Sequence, residues 1–193
     1  LPPSASISNT SQILFNGRSI CTIPEKELNR LRGKSMAMIF QDPMSSLNPV
    51  MKIGSQITEI LIHHLQLEKK TAIEKAKDML EAVGIPDPSQ SLHQYPHQLS
   101  GGLRQRVAIA IALACKPKLL IADEPTTALD VTVQAEILDM LDYMQTQRDM
   151  AIILITHDLN LAACRADQIA VMYGGRIVEY APVHEIMSKP KMQ

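Results

Sequence analysis

Beyond Ser100 the sequence alternates between helix-length stretches and short, almost wholly apolar runs. It reads as helix over 101–115, strand over 118–122, helix over 131–147, strand over 151–155, helix over 158–164 and strand over 168–173. A strand that is apolar on both faces has no side to offer to water, so it belongs inside a sheet, and a helix between successive strands lets them run parallel. This order commits the chain to an α/β fold, a mostly parallel sheet with helices on its faces. With 193 residues, 46% of them hydrophobic, there is material for one large domain with a substantial core.

Charge and composition remove several classes of function. The 19 basic residues against 20 acidic ones give a net charge of -1, without the broad positive field of a nucleic-acid binder. Any phosphate chemistry is therefore local, and no nucleic-acid partner is expected. Aromatic residues are scarce (4 Tyr, 2 Phe, 0 Trp), which argues against base stacking, while 11 Met make an aliphatic core with flexible filler. The longest apolar run, Val107 to Cys115, lies between Arg106 and Lys116 and is far short of the roughly 20 residues of a membrane-spanning helix. Cys21, Cys115 and Cys164 are odd in number and far apart, which suits buried thiols in a reducing compartment better than disulfides. The chain starts at Leu1, and Leu1-Pro2-Pro3-Ser4 has neither the charged start nor the apolar stretch of a signal peptide, so the natural N-terminal part is expected to be missing.

Before Ser100 the pattern differs. Ile13–Phe15, Asn16-Gly17 and Arg18–Ile20 predict a hairpin, because Asn-Gly supplies the positive-φ pair of a type I′ turn. Thr22-x-x-Glu25 has the spacing of a capping box with Pro24 in the first turn, and Gly33 is a stop, so a helix is expected over 23–32. Met36–Phe40 reads as a short buried strand. From Ser45 to Ser100 the period is helical: Ile53, Ile57, Ile60, Leu61 and Leu65 share one face, as do Ile73, Ala76, Leu80 and Val83. The expected organisation is thus 1–44 as an incomplete first part of the core, 45–100 as an inserted helical subdomain, and 101–193 as the rest of the core. Gly174-Gly175 then turns the chain into a last strand over 176–180, with a short helix expected over Pro182–Ser188.

Leu119–Glu124 ends a buried strand in two consecutive carboxylates, at the strand edge where open parallel sheets bind ligands. In a phosphate-processing site Asp123 would hold Mg²⁺ and Glu124 would orient or deprotonate the attacking water. Taken alone, the hexapeptide reads equally well as an acidic strand exit. Ser100-Gly101-Gly102 opens a helix, with Ser100 as cap and bare backbone N–H groups open to an anion. Arg104 and Arg106 in its first turns oppose the helix dipole, which helix stability alone would not select. Gln41, before Asp42-Pro43, and His157, before Asp158, each follow an apolar strand and reach the same sheet edge. Asp130 is the N-cap of the helix from 131.

In this order the motifs resemble the nucleotide-binding domain of ATP-binding-cassette (ABC) proteins over essentially the whole chain. Gln41 matches the Q-loop, Leu99–Leu103 the signature, Leu119–Glu124 the Walker B strand, Ala128–Asp130 the D-loop and His157 the switch histidine. The stretches Ile39–Pro49 and Asp123–Gln134 resemble the D-type ATPase subunit of dipeptide, oligopeptide and nickel importers. The resemblance implies a P-loop NTPase-like ABC ATPase fold with an inserted helical subdomain, and ATP and Mg²⁺ as cofactors. It implies Glu124, His157 and Gln41 as catalytic, Ser100, Gly101, Gly102 and Asp130 as nucleotide-binding, and Asp123 with Gln41 as metal-holding residues. It also implies a second ATPase subunit in a head-to-tail dimer, two membrane-spanning permease subunits, an extracytoplasmic binding protein acting indirectly, and a peripheral place on the cytoplasmic face of the membrane.

One departure stands out. The family's phosphate loop, G-x-x-x-x-G-K-[ST], is absent, and Gly33-Lys34-Ser35 only imitates its end: Leu28 holds the first glycine position, a helix precedes and a strand follows. The chain as given is therefore expected to be inactive alone. His93 and His97 flank Pro96 and read as loop residues, and His63-His64 as a solvated helix face. The alternatives are a non-catalytic, truncated partner-binding module and an ABC ATPase of DNA repair. The latter expects a very long coiled coil where only residues 42–99 intervene.

Overall fold

The computed structural model describes residues 7–8, 10–42, 46–127 and 129–188. The predicted hairpin is present as β1 (Leu14–Phe15) and β2 (Arg18–Ser19), paired antiparallel around Asn16 and Gly17, whose φ values of 49° and 75° are those of a type I′ turn. Helix α1 runs Glu25–Leu31, and here the expected capping box does not form: Pro24 itself is the N-cap and no side chain caps it. Glu25 is drawn instead to Arg32 at 2.6 Å.

Three strands, β3 (Met36–Ile39), β4 (Leu119–Asp123) and β5 (Ala151–Ile155), form a parallel sheet in that order. Their register aligns Ala37, Leu120 and Ile152 in one row and Ile39, Ala122 and Leu154 in the next, all facing the same way. Over these rows lie α5 (Gly101–Leu113) and α6 (Val131–Arg148), whose Val107, Ile109, Leu113, Ile137 and Leu141 complete one core cluster. The opposite row of Met38, Ile121 and Ile153 is more open, with Met38 39% and Ile153 50% exposed.

The stretch between β3 and α5 is helical: α2 (Ile53–Leu65), α3 (Lys69–Ala82), α4 (Pro88–Ser91) and a 3₁₀ turn over Pro96–Gln98. The first N–H groups of α2 have no partner within the helix, and the loop supplies them: Ile53 N donates to Gln94 O and Gly54 N to Leu92 O, both at 2.9 Å. A Cβ at Gly54 would stand 2.8 Å from that same Leu92 oxygen, so the close approach requires glycine. In α3 the buried stripe is Ala72, Ala76, Met79 and Leu80, continued by Val83. Ile73, expected on it, is instead 43% exposed, because it stands one residue, and so about 100°, off the i, i+4 row. Two arginines fasten the segment to the core. Arg106 donates to Val83 O at 2.9 Å and pairs with Glu136 at 2.6 Å; Arg148 donates to Leu113 O at 3.0 Å and reaches the Met79 sulfur.

After β5 comes α7 (Leu159–Arg165), tied to α6 by Arg165 with Asp139 and Asp142. The alternating pattern would place 168–173 with the parallel strands. It lies elsewhere: β6 (Gln168–Tyr173) pairs antiparallel with β7 (Arg176–Pro182) in a separate two-stranded sheet, because Gly174 and Gly175, both at positive φ, fold it straight back. Helix α8 (Val183–Ser188) follows. Of the cysteines expected to be buried only Cys115 is; Cys21 is half-buried and Cys164 exposed on the short α7. No described helix is long and apolar enough to cross a membrane.

Candidate functional site

Parallel strands end at one edge, and here three of them deliver polar residues to it. Gln41 follows β3, Glu124 follows β4 and His157 follows β5, with Glu124 N donating to Ile155 O at 2.9 Å. The side chains converge on the Glu124 carboxylate. Gln41 Nε2 donates to its Oε2 at 2.8 Å, and Thr127 Oγ1 donates to the same oxygen at 2.9 Å. His157 Nδ1 lies 3.0 Å from Oε1 and must be the donor, since a carboxylate only accepts. The bond from His157, then that from Thr127, holds the Glu124 carboxyl below the usual carboxylate range. The same bond holds the His157 imidazole above its ordinary value. His157 remains open to solvent with 76% of its side chain exposed, against 23% for Glu124. Beside the pair opens a cleft of about 230 Å³ lined by Glu124, Thr127, Gln134, Leu154, His157 and Asp158.

Thr127 escaped the sequence reading. Its signal was present as a threonine three residues beyond the carboxylate, where its N–H closes a turn onto Glu124 O at 3.2 Å and brings its hydroxyl back to the side chain. Glu124 itself has φ 45°, a left-handed conformation unusual for a non-glycine residue. Such backbone costs about 1–3 kcal/mol and survives only where neighbours over-determine it.

Asp123 is the last residue of β4, and its carboxylate makes no hydrogen bond among the described residues. Because Gln41 uses its nitrogen toward Glu124, its carbonyl oxygen is left for another partner. A carboxylate and an amide oxygen at one strand edge are the hard oxygen donors that suit Mg²⁺.

The second group of predicted residues stands at two adjacent helix starts. Ser100 caps α5, Oγ accepting from Leu103 N at 3.4 Å, and Asp130 caps α6, Oδ1 accepting from Val133 N at 3.0 Å. Gly102 lies against the first turn of α6, where a Cβ on it would meet Val133 Cγ1 at 2.9 Å, and Gly101 faces Leu129 just before that helix. Ser100, Gly101, Gly102 and Asp130 thus gather in one place, and Gln41, Glu124 and His157 in another. Ala128, of the Ala128–Asp130 motif, lies outside the described residues.

Gly33-Lys34-Ser35 is a turn between α1 and β3 in which two of the three amides are already used: Gly33 N donates to Met36 O and Ser35 N to Leu31 O, both at 2.8 Å. The space a Cβ would fill at Gly33 is taken by His64 Nε2 at 2.8 Å. His64 is therefore not on a solvated face as expected: its ring packs edge-on to His63 and against this turn. Burial first, then His63 and Lys34, push its imidazole below the ordinary value. His97 stacks on Tyr95 at 5.7 Å, as a loop residue would.

An ABC transporter profile matches residues 5–127. The chain is 55% identical over 180 residues to the oligopeptide transport ATP-binding protein OppD of Bacillus subtilis, covering 93% of this chain and 50% of that protein. It is 48% identical over 191 residues to the dipeptide transport ATP-binding protein DppD of the same organism, covering 99% and 57%. It therefore spans about half the length of the curated relatives it matches. The ATP-binding cassette MJ0796, solved as a dimer in a post-hydrolysis state bound to ADP and Pi, superposes with a TM-score of 0.77 at 25% identity, over 88% of this chain and 72% of that one. Sequence profile and superposition agree on one fold, that of the ABC ATPase cassettes, and the chain belongs to the ABC transporter family.

Proposed function

We propose that the chain is part of the ATP-hydrolysing subunit that energises an ABC importer of peptides. The observation that carries this reading is the convergence of Gln41, Thr127 and His157 on Glu124 at the ends of three parallel strands. Glu124 accepts the proton of the water that attacks the γ-phosphorus, breaking the bond to ADP. Its depressed proton affinity keeps it ionised and ready at neutral pH. His157, a proton donor at the open side of the site, faces the γ-phosphate, and Gln41 orients the carboxylate. Asp123 and the Gln41 oxygen would hold Mg²⁺, which when bound offsets phosphate charge. Ser100, Gly101 and Gly102 close on the nucleotide of a second ATPase subunit arranged head to tail, with Asp130 at that contact. Residues 45–100 meet one of two membrane-spanning subunits on the cytoplasmic face, where an open groove along α2 is lined by Met51, Ser55, Thr58, Glu59, Ile62 and His63. An extracytoplasmic binding protein delivers the peptide and never touches this subunit.

Glu124→Gln in the complete, assembled transporter tests the reading. The amide keeps the shape without the base, so hydrolysis is expected to fall by about 10²–10⁴-fold while ATP still binds. Turnover within a few-fold of the parent removes Glu124 from the role.

The second reading, a partner-binding module without catalysis of its own, is favoured by the Gly33–Ser35 turn, whose Gly33 and Ser35 amides are satisfied internally. A phosphate loop provides several charge-assisted hydrogen bonds of roughly 1.5–3 kcal/mol each, so the chain as given is expected to bind Mg-ATP no better than millimolar. Calorimetry on the purified chain decides it: micromolar binding would reveal an anion site in these residues.

A further inference from the structure

Glu124 keeps its left-handed backbone between two fixed points. On one side its N–H is held by Ile155 O. On the other stands Pro125, a buried residue with no N–H, whose carbonyl is its single backbone hydrogen-bonding group. That carbonyl receives Gln105 Nε2 at 2.5 Å. Gln105 lies in the second turn of α5, four residues after Gly101 and on the same helix face, and is only 2% exposed. Nothing in the proposed reaction uses it. A glutamine buried so deeply, between Arg104 and Arg106 in sequence, is costly unless its amide has a partner, and here the partner is the residue that follows the catalytic carboxylate.

We infer that Gln105 is a positioning residue: its amide clamps the Pro125 carbonyl and so fixes the Glu124 turn that Gln41, Thr127 and His157 engage. The clamp is anchored in the helix whose N-terminus carries Ser100, Gly101 and Gly102. Within one subunit, the glycines that face the partner's nucleotide and the carboxylate that serves the subunit's own are thereby parts of one rigid piece, with Gly101 also packed toward Leu129 of the intervening loop at 3.9 Å from its Cβ position.

This inference rests on the ATPase reading above, and the test separates the two. The complete subunit is assembled with its membrane partners in proteoliposomes, and ATP turnover is measured for the parent, Gln105→Met and Gln105→Asn. Met keeps the volume without the donor; Asn keeps the amide on a stem too short to reach. Since about 1 Å of misplacement can cost on the order of 10²-fold, kcat is expected to fall 10- to 100-fold in both, with KM for ATP within about twofold of the parent. A kcat within about twofold in either assembled variant, or a loss confined to KM, overturns the positioning role. If neither variant assembles, Gln105 serves folding and the role is likewise overturned. An inactive parent overturns the ATPase reading itself, and the role with it.

Discussion

The two faces of the three-stranded sheet are made from the same kinds of residue and meet opposite surroundings. Ala37, Ile39, Leu120 and Ala122 face α5 and α6 and are buried. Met38, Ile153 and Ile155, on the alternate positions of the same sheet, face the other way and are between 39% and 50% exposed. Hydrophobicity is shared by both rows, so it cannot be what decides burial. It decides that the run becomes a strand; the helices laid across one row decide which half of that strand is core.

The sharpest way to break the contrast is to delete volume on the covered face. Leu120→Ala is expected to cost about 2–5 kcal/mol in urea unfolding, since α5 and α6 cannot both collapse into the space. A cost below about 1 kcal/mol would mean that this face is as loosely packed as the other. Adding volume gives the next largest effect. Ala122→Leu on the covered face should cost about 1–3 kcal/mol through overpacking, whereas Ala151→Leu, at an exposed position of β5, should stay within about 0.5 kcal/mol. Equal costs would erase the distinction. On the open face, Ile153→Thr with Ile155→Thr keeps β-branching and removes apolar surface, so stability should change by less than about 1 kcal/mol while binding of a hydrophobic dye falls.

The smallest effects are electrostatic, and two histidines sharpen the comparison. His157 at the open edge has its imidazole raised above 6.5 by Glu124. The stability this contributes is complete below 6.5 and is lost as pH rises through the raised folded value. His64, packed on Gly33, is lowered from 6.5, chiefly by burial. Its sign is reversed: the neutral ring is favoured, and that contribution is present above 6.5 and lost as pH falls through the lowered value. Proton NMR titration should place the two resonances on opposite sides of 6.5, and Glu124→Gln should bring His157 back toward it without moving His64.

The sheet and its edge were legible because their information is local. Met36–Ile39, Leu119–Asp123 and Ala151–Ile155 are runs whose composition leaves few other outcomes, and Gln41, Asp123, Glu124 and His157 stand at the strand exits, where a motif order resembling a known family marks them. What escaped depends on the fold as a whole. Ile73 looked like a member of the buried stripe until the register of α3 against its neighbours set the row at Ala72 and Ala76. The strand from Gln168 has the composition of an inner strand, and only the Gly174-Gly175 turn sends it elsewhere. His64 could not be paired with Gly33, nor Gln105 with Pro125, because each contact joins residues from different elements, and neither residue type announces it.

The spacing of the site residues along the chain also bears on the order in which they meet. Glu124 and His157 are 33 residues apart, with only α6 between their strands, whereas Gln41 and Glu124 are separated by 83 residues that include α2 to α5. The entropy of closing the longer loop adds only about 0.8 kcal/mol, but pairings distant in sequence form slowly. In refolding, β4, α6 and β5 should come together first and bring carboxylate and imidazole into contact, with β3 docking afterwards on the exposed edge of β4. Gln41 arrives with that last strand, so its amide reports on completion: a chain halted one step short would already carry the paired Glu124 and His157 and still lack the group that holds the carboxylate from the other side.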